Sequence, residues 1–193
     1  MRISAGKKKG AKLKSPKSKN IRPTTSIVKE YIFGFLGDFI KGKRVLDLFA
    51  GTGNLGIEAI SRGAASVSFV DIFQQSIYLI KDNLKKTGFE NRSKIYKTDV
   101  FDFISKSYRD NIKFDIVLSD PPFKYKELFK LCESEKLHGI IENGSYFIIE
   151  HYPEINSYYS GFMLIKFRSF GGNKISIFKK VGKIENGGLS RDI

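Results

Sequence analysis

The 193-residue chain has a single cysteine, Cys132, so it can form no internal disulfide and no cysteine-cluster metal site. No apolar run approaches the roughly 18 residues that a bilayer-spanning helix needs. The basic N-terminus is followed by no continuous apolar stretch of the secretory kind. Together these absences point to a reducing, cytoplasmic setting. The two histidines, His138 and His151, are isolated and suggest no site. Acidic residues are missing from the first 22 positions, which instead hold Arg2, Lys7, Lys8, Lys9, Lys12, Lys14, Lys17, Lys19 and Arg22. That segment supplies +9 of a net charge of +14; the other 171 residues carry 25 basic and 20 acidic side chains, or +5. A local basic block suits a polyanion, most often nucleic acid. The plainer reading is a solubilising tail. Arginine is also scarce, at 8 against 26 lysines, a ratio that an AT-rich genome would also produce.

What is present is enough for one domain. Hydrophobic residues make up 41% of the chain, and a chain of this size buries roughly 70% of its unfolded surface. Two units are expected: a basic RNA-binding segment over 1–23, whose glycines at 6 and 10 permit a small hairpin over 2–14, and a domain over 24–193. Ile27, Val28, Tyr31, Ile32, Phe35, Leu36, Phe39 and Ile40 recur at helical spacing, with Thr24 or Thr25 as N-cap. From Arg44 onward strands and helices alternate. Strands are expected at 44–49, 66–71, 94–98, 114–119, 145–150, 162–168 and 174–179, and helices at 54–62, 74–87, 100–107 and 126–138. Alternation of this kind implies a parallel α/β sheet covered on both faces. The closing hairpin requires one antiparallel strand among the seven.

Two motifs carry chemistry. Asp47-Leu48-Phe49-Ala50-Gly51-Thr52-Gly53-Asn54-Leu55-Gly56 sits where a strand turns into a helix, and Asp71 follows Gly51 by 20 residues. Gly51, Gly53 and Gly56 satisfy G-x-G-x-x-G, which serves a dinucleotide or S-adenosylmethionine (SAM) equally well. Asp47 separates the two. A carboxylate at the strand end would repel a pyrophosphate, whereas SAM brings a sulfonium and an ammonium, both cationic. Asp71 suits two ribose hydroxyls or a helix cap. Asp99, ending the third strand, suits an adenine amine or, equally, a helix N-cap. The second motif is Asp120-Pro121-Pro122-Phe123 after the fourth strand. Two prolines remove two N–H donors. The Asp120 carboxylate and Pro121 carbonyl then form an acceptor-rich site for an exocyclic amine, with Phe123 placed to stack on a base.

The order D-x-F-A-G-T-G-x-L-G, an acid after strand two, then D-P-P-F resembles class I SAM-dependent methyltransferases acting on exocyclic amines. Met1-Arg2-Ile3, Ala5-Gly6, Lys9-Gly10, Leu13, Pro16 and Ile21-Arg22-Pro23-Thr24-Thr25 resemble the opening of the small-subunit rRNA guanine-N2 methyltransferases, the RsmD family. Residues 55–64 (LGIEAISRGA), Phe170-Gly171 and Ile177-Phe178 continue the resemblance. It implies a Rossmann-like methyltransferase fold with a seven-stranded, mostly parallel sheet and an antiparallel last-added strand. SAM is the implied methyl donor, and a 16S rRNA guanine in the assembling small subunit the acceptor. The expected cofactor contacts are Asp47, Ala50, Gly51, Gly53, Asp71 and Asp99. Asp120, Pro121, Pro122 and Phe123 form the expected catalytic set, and Arg22, Thr24, Lys7, Lys8 and Lys9 the expected RNA contacts. No metal, no membrane and a monomer are expected. Two departures stand out: Phe73 where the family often has a second acid, and Ser26-Ile27 where it usually has Asp-Arg. Alternative readings are methylation of adenine N6 or cytosine N4, a non-catalytic RNA-binding assembly factor, and a nicotinamide-dependent oxidoreductase.

Overall fold

A computed structural model describes residues 1–15, 26–123, 125–152, 154–159 and 161–182. Arg22, Thr24 and Thr25, to which the sequence assigns RNA contact or helix capping, lie outside the described residues. Five strands alternate with helices: β1 (Arg44–Leu48), β2 (Ser66–Asp71), β3 (Ser93–Lys97), β4 (Phe114–Ser119) and β5 (Ile141–His151). The helices are α1 (Ser26–Leu36), α2 (Asn54–Ser61), α3 (Gln74–Thr87), α4 (Val100–Arg109), α5 (Leu128–Cys132) and α6 (Glu135–Gly139). Three further strands, β6 (Tyr158–Tyr159), β7 (Phe162–Phe170) and β8 (Asn173–Lys180), complete one sheet in the order β3-β2-β1-β4-β5-β8-β7-β6.

The first five strands are parallel; β8 pairs antiparallel with β5, β7 with β8, and β6 with β7. Among the described residues the sheet therefore has eight strands, not the seven expected, and two of them, β8 and β6, run against the rest. The extra strand is two residues long, too short for alternation in the sequence to mark it. The helix expected over 126–138 is two short helices. Ser134 breaks the run, because its hydroxyl accepts the Leu137 N–H at 3.3 Å and starts α6. The first apolar helix ends at Leu36 and continues as a 3-10 turn over Gly37–Ile40.

Strand alternation divides the core between the two faces. Val45, Val67, Phe69, Ile116, Leu118 and Ile148 pack under α1, α2 and α3, while Leu46, Leu48, Val117, Phe147 and Ile149 pack under α4, α5 and α6. Ile3 and Leu13 are buried in the first of these cores, so the leader is docked on the domain. It doubles back on itself, with an antiparallel bridge between Arg2 and Lys12. Gly6 makes the close approach: a Cβ there would lie 1.9 Å from the Ser61 carbonyl oxygen. Among the described residues, no helix is long and apolar enough to cross a membrane.

Candidate active site

From β1 the sheet order runs to β2 and β3 on one side and to β4 and β5 on the other. Loops leaving β1 and β4 therefore diverge and leave a crevice at the carboxyl ends of the strands, where open α/β sheets bind ligands. A cavity of about 600 Å³ lies there.

The glycine loop forms one wall. Phe49 (φ 58), Gly51 (φ 55) and Gly53 (φ 76) are all left-handed. That conformation suits glycine and strains phenylalanine. Ala50 N–H donates to Val70 O at 3.0 Å, and Gly53 N–H to Ala50 O at 2.7 Å, which closes the turn. Gly56 allows α2 to press on β2, since a Cβ there would lie 2.3 Å from the Phe69 ring.

Each acid predicted from the sequence reaches the cavity, and three of them also hold backbone. Asp47 is buried, and its Oδ2 accepts the Gly56 N–H at 2.9 Å. Burial pushes its carboxyl well above the ordinary carboxylate range. The Gly56 bond pulls the other way, and the charges of Asp120 and Asp71 add to the rise. Asp71 accepts Gly51 N–H and Phe73 N–H, each at 2.8 Å, and so pins both neighbouring loops. Asp99 is the N-cap of α4, accepting Phe101 N–H at 2.8 Å, and still lines the cavity. Ala50, Gly51, Asp120, Pro121, Pro122 and Phe123 also line it, whereas Gly53 lies behind the wall.

The exposed Phe123 ring meets Tyr152 edge-on, with centroids 4.1 Å apart. A turn bonded from Tyr125 N–H to Pro122 O at 2.8 Å sends Phe123 outward and Tyr125 inward, where the Tyr125 ring packs edge-on against Phe49 at 4.8 Å. The buried Tyr125 hydroxyl has no hydrogen-bond partner among the described residues. Burial, with the charges of Glu127 and Asp99, pushes it up to about 12, so it stays a donor at neutral pH.

Tyr125, Glu150, Tyr152 and Asn173 line the cavity without being predicted from the sequence. Glu150 closes an apolar strand as Asp47 and Asp71 do, and that was the available signal. Asn173 carries none; the antiparallel β5–β8 pairing brings its amide to Glu150 Oε1. Lys7, Lys8 and Lys9 are exposed but not at the cavity. Lys7 N–H donates to Ser61 O at 2.8 Å, at the far end of α2, which at 1.5 Å per residue is about 12 Å long.

Asp47, Asp71, Asp99, Asp120 and Glu150 thus line the cavity, and among the described residues no lysine, arginine or histidine does. Such a donor set fits a cationic ligand and opposes a pyrophosphate. The buried Tyr125 hydroxyl and the partly apolar wall suit a ligand that is also aromatic.

A family model described as "Conserved hypothetical protein 95" matches residues 1–179. "Putative rRNA methyltransferase YlbH" of Bacillus subtilis is 33% identical over 184 residues, covering 94% of this chain and 100% of that protein. "Ribosomal RNA small subunit methyltransferase D" of Buchnera aphidicola from Acyrthosiphon pisum is 36% identical over 151 residues, covering 77% and 76%. Among solved structures, "Putative methyltransferase yhhF from Escherichia coli" superposes with a TM-score of 0.81 at 26% identity, covering 95% of this chain and 99% of that one.

Proposed function

Because the chain belongs to the conserved hypothetical protein 95 family, with the small-subunit rRNA methyltransferases D among its relatives, we propose that it methylates the exocyclic N2 amine of a guanine in 16S rRNA, using SAM. The observation that carries this reading is the cavity between glycine loop and D-P-P-F, lined by five carboxylates and by no cationic side chain among the described residues. SAM, when bound, supplies an electrophilic methyl on a positive sulfur. The N2 lone pair would form the new C–N bond as the C–S bond breaks, with the C–S electrons left on sulfur, and the Asp120 carboxylate beside the amine would take the proton that N2 sheds.

The protein's part is positioning and electrostatics. Asp47, with the backbone of Ala50 and Gly51, holds the cationic amino-acid end, while Gly53, behind the wall, shapes the turn. Asp71 keeps a lone pair on each oxygen for ribose hydroxyls beyond its two backbone bonds. Asp99 faces the adenine. Asp120 and the Pro121 carbonyl accept the two N–H bonds of the target amine, Pro122 stiffens the loop, and Phe123 stacks on the base. The base enters flipped out of its helix. Lys7, Lys8 and Lys9 meet phosphates away from the target base, and Arg22 and Thr24 are further RNA contacts. The working unit is a monomer acting on the assembling small subunit. A nicotinamide dinucleotide would set its pyrophosphate against the acidic lining, which disfavours the oxidoreductase reading.

Replacing Asp120 with alanine should leave S-adenosylhomocysteine (SAH) binding by calorimetry within about three-fold and cut methyl transfer at least about a hundred-fold, the usual size for one positioned polar group. Equal loss of both would make Asp120 structural and refute its role.

A further inference from the structure

The bonds of the leader converge on the loop that opens the cavity. Asn83, on α3, is fully buried. Its Oδ1 accepts Lys14 N–H at 2.7 Å, and its Nδ2 donates to Lys14 O at 3.2 Å and to Thr52 O at 3.0 Å. Both amide hydrogens are therefore used, one on the leader and one on the glycine loop. Thr52 lies between the two left-handed glycines, and its Oγ1 is 3.6 Å from Met1 Sδ. On the other side of Gly53, Lys29 Nζ donates to Arg2 O at 2.6 Å and to Asn54 Oδ1 at 3.3 Å. The two residues flanking Gly53 are thus each tied to leader backbone, at positions 14 and 2.

We infer that Asn83 is a positioning residue for the cofactor loop, and that through it the docked leader is part of the SAM-binding unit. The inference rests on the reading of the cavity as a SAM site. A carboxamide is the group the position needs. An aspartate would set a carboxylate against two carbonyl oxygens, and an apolar residue would leave the Thr52 carbonyl and both Lys14 backbone groups unbonded. A turn with three left-handed residues in five has freedom to lose when ligand binds. Holding it in advance lowers that cost.

The test uses the full chain and titrates SAH by calorimetry. Asn83→Ala should raise the SAH Kd about ten-fold, while kcat at saturating SAM and rRNA stays within about two-fold. Asn83→Asp should raise Kd further. Leu84→Ala, a neighbouring core truncation on the same helix, should lower Tm at least as much yet shift Kd less than two-fold. Asn83→Ser, a milder loss, should move Kd the same way and serves if the alanine variant does not fold. An unchanged Kd in the Asn83 variants, or an equal rise in Leu84→Ala at matched Tm loss, overturns the inference. A wild-type chain that binds no SAH overturns the cofactor reading, and the inference with it.

Discussion

Replacing Glu58 with alanine should be among the most destabilising single changes outside the strands. The side chain is fully buried on α2 and serves as acceptor for five donors: Ser4 N–H at 2.9 Å, Ser4 Oγ at 2.8 Å, Ala5 N–H at 3.1 Å, Arg62 Nε at 2.8 Å and Lys29 Nζ at 2.9 Å. Lys29 is itself only 3% exposed at the side chain, so truncating Glu58 strands a buried ammonium. Breaking a buried pair in this way costs about 3–5 kcal/mol. Against a total of about 5–15 kcal/mol for a domain, that is a large share, and at about 2–4 °C per kcal/mol it lowers Tm by about 6–20 °C. Differential scanning calorimetry reads this directly. Lys29→Met in the same chain removes the stranded charge, so the double variant should lose at least about 1 kcal/mol less than the two single losses summed. Strict additivity, or a Tm within 2 °C of wild type for Glu58→Ala, would refute the reasoning. The pH dependence has a definite sign. Burial pushes the Glu58 carboxyl up, but the bonds from Ser4, Arg62 and Lys29 outweigh it and hold it below its ordinary value. Its contribution is therefore present at neutral pH and is lost as pH falls through and below the ordinary glutamate range.

The acidic lining of the cavity implies a trade of stability for binding. Asp47 has its carboxyl raised by burial, so its ionisation destabilises the ligand-free chain as pH rises past the ordinary aspartate range. Asp47→Asn keeps an acceptor for Gly56 and should raise the Tm of the ligand-free protein. It should also weaken SAH binding about 10- to 150-fold, the value of one charge-assisted bond at about 1.5–3 kcal/mol; a lower Tm with unchanged affinity would contradict the assignment. For the leader, truncation is the wrong probe, because it would also remove Ile3 and Leu13 from the core and release Asn83 and Glu58. Changing Lys7, Lys8 and Lys9 together to glutamine should instead make the log–log salt slope of RNA binding shallower by about 2, at roughly 0.7 per single-strand phosphate contact, with SAH affinity unaffected. An unchanged slope would remove these three lysines from the RNA interface.

The sequence resolves best where local signals agree. β2 and β4 fall on the expected residues, because each is an apolar run bounded by turn formers and ended by a polar residue at the sheet's carboxyl edge. Asp47, Asp71, Asp99 and Asp120 were legible for the same reason: each ends or follows a strand. Glu150 carries the same strand-end signal, whereas Tyr152 and Asn173 carry none, because strand register alone assembles them. Of the two readings of Asp99 in the sequence, the structure shows the helix cap, and it leaves the side chain on the cavity lining, where the proposed adenine contact would fall. Glu58, Lys29 and Asn83 look like the polar faces of amphipathic helices. They are buried because the leader covers them, a tertiary event that helical periodicity cannot express. The +9 charge of the first 22 residues reads in the sequence as a basic arm. Its apolar residues Ile3 and Leu13 are buried against the domain, with Lys7, Lys8, Lys9, Lys12 and Lys14 exposed.

The most direct test of the central claim is mass-spectrometric mapping of methylated nucleotides in 16S rRNA incubated with this protein and methyl-labelled SAM, beside a reaction containing Asp120→Ala. The expected result is one N2-methylguanine at a single position, absent from the variant reaction. Label on adenine N6 or cytosine N4, or none with rRNA both free and in assembling small subunits, would contradict it.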